Sequence, residues 1–245
     1  MMETKIADSR KEGGMAPRRA ERVAHDREGG KSRDMASLTE IPPETYTGAA
    51  LGSLLGPLGT VAGGVAGYLL AKKVSVNVTR LNGVGNSLGT DIATANRVFS
   101  QAGITIQTAK TETLSAADSS AILGADNKLD DFTSPALTTE EQSLVAHNRT
   151  AGRITAYYVP EFIHAGTRGE AMIPSYHGVT ESSIVISSAD RVNDTFAHEM
   201  GHVLLNDASH DNDASNLMAS GDIRNFTDKL TKGQIKKAQG SKYVH

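Results

Sequence analysis

The chain of 245 residues contains no cysteine and no tryptophan, and aromatic residues make up only 4% of it. The absence of cysteine excludes disulfide bonds, thiolate metal sites and a cysteine nucleophile. The scarcity of aromatic residues means that any hydrophobic core is built mainly from aliphatic side chains. The formal net charge of −3 gives no global positive field. We therefore expect no nucleic-acid partner.

Large apolar side chains are also scarce in residues 1–45, which carry nine lysines or arginines and nine acidic residues. Such a segment cannot bury enough apolar surface to offset the conformational entropy lost on folding, and we predict a disordered charged leader. It is not a secretory signal peptide, because no apolar run follows a short basic start. If the protein is secreted or delivered into a target cell, we expect a route other than the general secretory (Sec) pathway.

A glycine-rich apolar segment follows over residues 46–73, with no charged residue between Gly48 and Ala71. Two sets of glycines recur at every fourth residue, a spacing that puts them on one helix face and lets another helix approach closely. Pro57 lies between the sets and interrupts a single helix. We predict that residues 48–71 contact a membrane or secretion machinery. The alternatives are a flexible linker or a helical pair packed on the next domain. The glycines are Gly48, Gly52, Gly56, Gly59, Gly63 and Gly67.

From residue 74 to residue 245 the pattern changes to that of an α+β domain. Runs of alternating or β-branched residues predict strands, and apolar residues at helical spacing predict helices. The predicted strands are Val74–Leu81, Ile104–Thr111, Arg153–Pro160 and Ser182–Ser188, and the predicted helices are residues 89–103, a helix opening near Thr138 and a helix carrying His198.

His198 to His202 reads His-Glu-Met-Gly-His, an HExxH motif. Residues four apart on an α-helix are separated by about 6 Å along the axis and about 40° around it, so both imidazoles can reach one metal ion. Glu199 lies beside them and can act as a general base toward a water that the metal activates. The motif therefore predicts a zinc site with His198 and His202 as ligands and Glu199 as the catalytic residue.

The neighbouring residues indicate that this helix is buried. Phe196, Met200 and Val203 form an apolar stripe at helical spacing, which docks the helix on a core. Two buried histidines need polar partners, and a shared metal ion supplies one. Gly201 weakens a helix, which indicates that another group approaches the backbone closely at that position.

The whole stretch from Thr195 to Gly221 resembles the metzincin zinc metallopeptidases. That family has the pattern HExxHxxGxxH, or aspartate as the last ligand, followed by a turn whose methionine lies beneath the metal. Here Asn216–Gly221 looks like this Met-turn, with Met218 as its methionine, and residues 230–243 resemble the closing helix of bacterial members. The resemblance covers residues 74–245. It implies a mixed sheet, an active-site helix and a C-terminal helix.

The third ligand departs from the family pattern, because Leu205 occupies the glycine position and Ala208 the ligand position. His210 is our preferred third ligand, since zinc favours imidazole and two extra residues are absorbed if Asn206 ends the helix in the left-handed conformation. Asp207 and Asp211 remain alternative third ligands.

The resemblance implies a zinc metalloendopeptidase in which Met218 forms the hydrophobic floor of the site. It also implies that a protein or peptide substrate lies extended along an edge strand, for which residues 170–178 are the best equivalent. Tyr176 or His177 could then stabilise the oxyanion, or both could be ordinary loop residues. The charged leader and the glycine-rich segment before an enzyme domain suit a bacterial effector or toxin, by analogy alone.

Two other functions remain open. The chain could be a membrane-inserting or structural protein whose metal site is only structural. It could also be a secreted protease with residues 1–73 as a propeptide, removed by self-cleavage near residues 72–74.

Overall fold

The computed structural model describes residues 72–131, 136–221, 223–224 and 229–245. The predicted leader over residues 1–45 and the predicted glycine-rich contact segment over residues 48–71 lie outside the described residues. Within these residues, no helix is both long enough and apolar enough to cross a membrane.

Among the described residues, five strands form one mixed sheet in the order β2-β1-β3-β5-β4. Neighbouring strands are parallel except for β4, which pairs antiparallel with β5. This sheet and the helices around it confirm the predicted α+β class. The strands are β1 (Lys72–Arg80), β2 (Ile104–Thr113), β3 (Ile154–Val159), β4 (Gly169–Met172) and β5 (Ser183–Ser187).

Six α-helices connect or cover these strands in the described part of the chain. Thr138 and Thr231 each open a helix with a reciprocal capping box, which satisfies backbone amides that the first turn leaves without partners. The helices are α1 (Leu88–Phe99), α2 (Ala116–Leu123), α3 (Thr139–Val145), α4 (Pro174–His177), α5 (Thr195–Leu205) and α6 (Lys232–Gln239).

All four predicted strands are present, with small shifts at their ends. The first begins at Lys72, two residues before the predicted start, because Lys72 and Lys73 pair with Ile104 and Thr105 of β2. Backbone pairing does not depend on the side chain, so the two lysines join the sheet. Gly103 adopts the left-handed conformation (φ 64°) and ends the short 3₁₀ turn after α1, where the sequence predicts the helix to stop.

Sequence reasoning missed α2, which lies in the polar region after β2. Ser115 caps this helix by accepting a hydrogen bond from the backbone amide of Asp118. Only Ser119, Ile122 and Leu123 are buried along it. Because the helix has so short an apolar face, its periodicity is weak, and its cap is the clearest local signal.

Side chains of the central strand β3 alternate between two apolar layers, as expected for a sheet covered on both faces. Ile154, Ala156 and Tyr158 face the larger layer, which includes buried residues of α1 and α5. Tyr157 and Val159 face a smaller layer, which includes buried residues of α2 and α3. The sheet therefore supports α5 on one face and the polar region after β2 on the other.

A buried carboxylate joins α1 to the centre of the sheet. Asp91 is fully buried and accepts hydrogen bonds from the Tyr158 hydroxyl (2.9 Å) and from Ser87 (3.0 Å). Arg191, in the segment before α5, forms an ion pair with it at 2.5 Å. Burial raises the pKa of Asp91, and the charge of Arg191 opposes that shift. Asp91 thus anchors one helix, one strand and the approach to α5 at a single point.

We expect Asp91→Ala to lower the free energy of unfolding by about 3 kcal/mol, because it leaves Arg191 and the Tyr158 hydroxyl without their buried partner. Urea denaturation followed by circular dichroism measures the change. Asp126→Ala, at an exposed turn, is the matched control. Equal stability of the two variants would contradict this role of Asp91.

Candidate metal site

The helix that carries the HExxH motif, α5, is buried along its whole length, and all eleven of its residues are inaccessible or nearly so. The predicted stripe of Phe196, Met200 and Val203 belongs to the larger apolar layer. Asn206 ends the helix in the left-handed conformation (φ 47°, ψ 51°), as predicted. The chain therefore leaves α5 at a sharp turn and can return toward the histidines.

Two main-chain carbonyls orient the imidazoles of α5. Nδ1 of His198 lies 2.7 Å from the carbonyl oxygen of Leu217, and Nδ1 of His202 lies 2.6 Å from that of Asp207. A carbonyl oxygen only accepts, so each Nδ1 carries the hydrogen and each Nε2 keeps its lone pair. The two Nε2 atoms lie 3.1 Å apart. Two lone pairs that face each other at this distance repel unless they share a cation.

The third imidazole completes a site that could hold a metal ion. The ring of His210 lies 5.3 Å from that of His198 and 5.0 Å from that of His202, measured between centroids. One ligand atom from each histidine lies within 4.8 Å of the others. Two nitrogens bound to a tetrahedral zinc ion are about 3.3 Å apart, close to the separation in the α5 pair. The geometry of the three residues fits a metal of this kind.

Electrostatics keep the three imidazoles neutral. Burial, with a smaller effect of the positive charge of Arg224, lowers the pKa of His198 to about 2 and that of His202 to about 4. Burial and Arg224 also lower the pKa of His210. Neutral imidazole is the form that binds metals, so the environment prepares all three side chains as ligands.

Glu199 lies beside these histidines and under the edge strand β4. Its side chain is buried, and burial raises its pKa to about 8. A Cβ atom added to Gly169 would lie 2.9 Å from Cγ of Glu199 and 2.8 Å from Cγ2 of Thr195. Only glycine at position 169 therefore lets β4 pass this close to α5.

Met218 lies against the opposite side of the helix. A Cβ atom added to Gly201 would overlap the Met218 sulfur, which explains the glycine inside α5. Asn216 holds the turn by accepting a hydrogen bond from the Met218 amide at 2.7 Å. The close approach that Gly201 indicates in the sequence is therefore made by the methionine of the predicted Met-turn.

The carboxylates of the two alternative third ligands bind elsewhere. That of Asp207 accepts hydrogen bonds from Lys237 (2.9 Å) and from Ser209 (2.7 Å). That of Asp211 accepts from the backbone amide of Asp213 at 2.9 Å. Asp207 contributes to the site through its main-chain carbonyl, which orients His202.

A cleft of about 340 Å³ opens onto the three histidines and Glu199, and residues of β4 and α4 line it together with Ala208. Tyr176 and His177 are thus brought to the site. The extended segment suggested for residues 170–178 is shorter than expected, since the strand covers only Gly169–Met172. Pro174 then starts helix α4, because its fixed φ suits the first helical position.

Sequence reasoning missed Arg224, which pairs with Asp194 immediately before α5. The Nε atom of Arg224 lies 2.8 Å from Oδ2 of Asp194, and the side chains are only 3% and 4% exposed. Its Nη1 also donates to the carbonyl oxygen of Ala219 at 3.3 Å. Nothing in the sequence around this lone arginine distinguishes it from a surface residue, so only the fold could reveal it.

No protein-family model matches this sequence, and no curated protein matches it. The fold and the site define an α+β domain with three convergent imidazoles at the base of an open cleft.

We expect His210→Ala to weaken metal binding by at least about 100-fold, because losing a residue that only orients a ligand already weakens it ~10–100-fold. Metal content per chain after equilibrium dialysis against zinc gives the result. His147→Ala is the matched control. Full zinc content in His210→Ala, together with its loss in Asp207→Ala, would show that the carboxylate is the third ligand.

Proposed function

We propose that the domain is a zinc-dependent endopeptidase of the metzincin type, with His198, His202 and His210 as ligands and Glu199 as general base. The observation that carries this proposal is the open cleft above three imidazole ligands. A structural zinc site is closed by four protein ligands, whereas a catalytic one has three and leaves a position open. Among the described residues, only these three side chains gather as a metal-binding group.

Three neutral imidazoles favour zinc or another transition metal over calcium or magnesium, which prefer oxygen ligands. When bound, zinc supplies Lewis-acid chemistry that makes water more acidic and polarises a carbonyl group. The residues of the chain do the rest. Leu217 and Asp207 orient two ligands, and Met218 packs beneath α5 and keeps the helix in place.

Glu199 is placed to move the proton. It follows a ligand directly in the sequence, and its carboxyl group lines the cleft beside the imidazoles. In peptide hydrolysis its ionised form, which the positive charge of a bound metal ion would favour, accepts the proton of the attacking water and donates it to the leaving amine. The site thus needs one carboxyl group for both transfers.

The edge of the sheet supports a peptide substrate. In the described structure β4 pairs with β5 on one side and has no strand on the other. The backbone groups along such an edge can pair with an extended peptide, which then lies across the cleft. Because Gly169 brings β4 next to Glu199, a peptide bound there passes over the reactive groups.

The structure disfavours a propeptide that ends at residues 72–74. The backbone of Lys73 exchanges two hydrogen bonds with His245, at 2.6 and 3.1 Å, and Lys72 already pairs with β2. Cleavage there would cut a strand of the folded sheet. We infer instead, by analogy alone, that residues 1–71 are a delivery or contact region of a bacterial effector.

We expect Glu199→Gln in the full chain to keep its zinc and to lose at least about 100-fold in peptide-cleavage rate, because general-base catalysis contributes ~10²–10⁴-fold. Zinc analysis and a fluorogenic peptide library measure the two properties. Glu161→Gln, at a surface ion pair, is the control. Cleavage by Glu199→Gln at the wild-type rate would refute the role of Glu199. If the metal is purely structural, Glu199→Gln and Glu161→Gln should not differ.

Gly169→Ala tests the contact between the edge strand and the catalytic carboxyl. The added methyl group forces Glu199 or β4 to move, and a displacement of about 1 Å in a catalytic group costs ~100-fold in rate. We expect the cleavage rate to fall to that extent while zinc content stays at one ion per chain. Gly85→Ala, which has room for a methyl group, is the control. Unchanged activity in Gly169→Ala would rule out this close approach.

A further inference from the structure

A second, smaller pocket of about 200 Å³ opens beside the metal site, at the start of β4. It shares Gly169, His198, Glu199 and His210 with the larger cleft. Its other walls are different, because two arginines, Arg168 and Arg224, line it. We call it the arginine pocket.

Arg168 reaches across the mouth of this pocket. Its main-chain carbonyl accepts a hydrogen bond from the amide of Ser187 at 3.0 Å, which continues the pairing of β4 with β5 by one residue. Its Nη1 donates to the carbonyl oxygen of Gly221 at 3.2 Å. Within residues 72–131, 136–221, 223–224 and 229–245, no carboxylate forms an ion pair with it. The contacts of its guanidinium in the described structure are thus with a neutral group.

Arg224 forms the deeper wall. Its guanidinium pairs with Asp194 through Nε and Nη2 and donates to Ala219 through Nη1. These contacts use three of the five N–H groups of an arginine. Asp194 pairs with Arg224, whereas Arg168 has no carboxylate partner among the described residues.

The part of the larger cleft that the arginine pocket does not share has no lysine or arginine among the described residues that line it. These residues are Glu170, Ala171, Tyr176, His177, His202 and Ala208. A peptide lying along β4 therefore meets guanidinium groups on one side of the reactive groups and none on the other. This asymmetry is the kind that selects a substrate by the charge of a single residue.

We propose that the arginine pocket binds a substrate carboxylate next to the scissile bond. Arginine donates two parallel N–H bonds that match a carboxylate, and the pocket has room for a side chain. The carboxylate comes from an acidic side chain or from a free C-terminus. This specificity rests on the proposed function, since it places a peptide across the metal site.

Binding to the inactive full chain, Glu199→Gln, tests the proposal without requiring turnover. The first probes are fluorescent peptides of one sequence with an amidated C-terminus, in which Glu or Gln is placed at each position in turn. The last probe is the all-Gln peptide with a free C-terminus. We expect one carboxylate-bearing peptide to bind at least about tenfold more tightly than the amidated Gln peptide. The position of the preferred carboxylate distinguishes a side chain from a C-terminus.

Arg168→Gln in the same background should reduce this preference to within about twofold, whereas Arg97→Gln, which removes an exposed arginine on α1, should leave it unchanged. The titrations are repeated after removal of zinc, because a carboxylate can also bind the metal directly. A preference that persists without zinc and disappears with Arg168→Gln supports the arginine pocket.

Equal affinity for the Glu and Gln peptides, a preference that survives Arg168→Gln, or one that depends only on zinc would overturn the proposal. Cleavage by the wild-type chain separates this failure from failure of the proposed function. If peptides are cleaved without regard to charge, the protease proposal stands and the pocket proposal falls. If a carboxylate preference in binding is found but no peptide is cleaved, the protease proposal falls instead.

Discussion

The site depends on the burial of α5, which removes two imidazoles from water and leaves them neutral. A neutral imidazole deep in an apolar layer needs a hydrogen-bond acceptor for one nitrogen and a partner for the other. The carbonyls of Leu217 and Asp207 meet the first need and thereby turn both Nε2 lone pairs toward one point. A shared metal ion could meet the second, because the three histidines are placed to hold one. The same burial that stabilises the helix in the core thus prepares its ligands.

Close packing around α5 explains two glycines that local propensity disfavours. Gly201 makes room for Met218 on one side, and Gly169 lets β4 approach Glu199 on the other. Each glycine lowers the stability of the helix or strand that contains it. In return the helix is held between the turn that carries Met218 and the edge strand, and His198, Glu199 and His202 line the cleft.

Two buried ion pairs fix the elements that meet at the site. Asp91 and Arg191 connect α1 with the segment before α5, and Asp194 and Arg224 connect that segment with the chain after the Met-turn. Breaking such a pair leaves an uncompensated charge in the interior, which is costly. Together they position the approach to α5 and the loop after Met218, whereas Arg168, beside the histidines, has no carboxylate partner among the described residues.

The sequence by itself determined the α+β class, the four predicted strands, the left-handed end of α5 at Asn206 and the pair His198 and His202. These features depend on periodicity or on spacing within one element, which local sequence encodes. Only the tertiary structure decided that His210 joins the pair while Asp207 and Asp211 bind elsewhere, and that Arg224 lies at the site. These outcomes depend on contacts between segments far apart in sequence, such as Lys237 with Asp207, which no local pattern records.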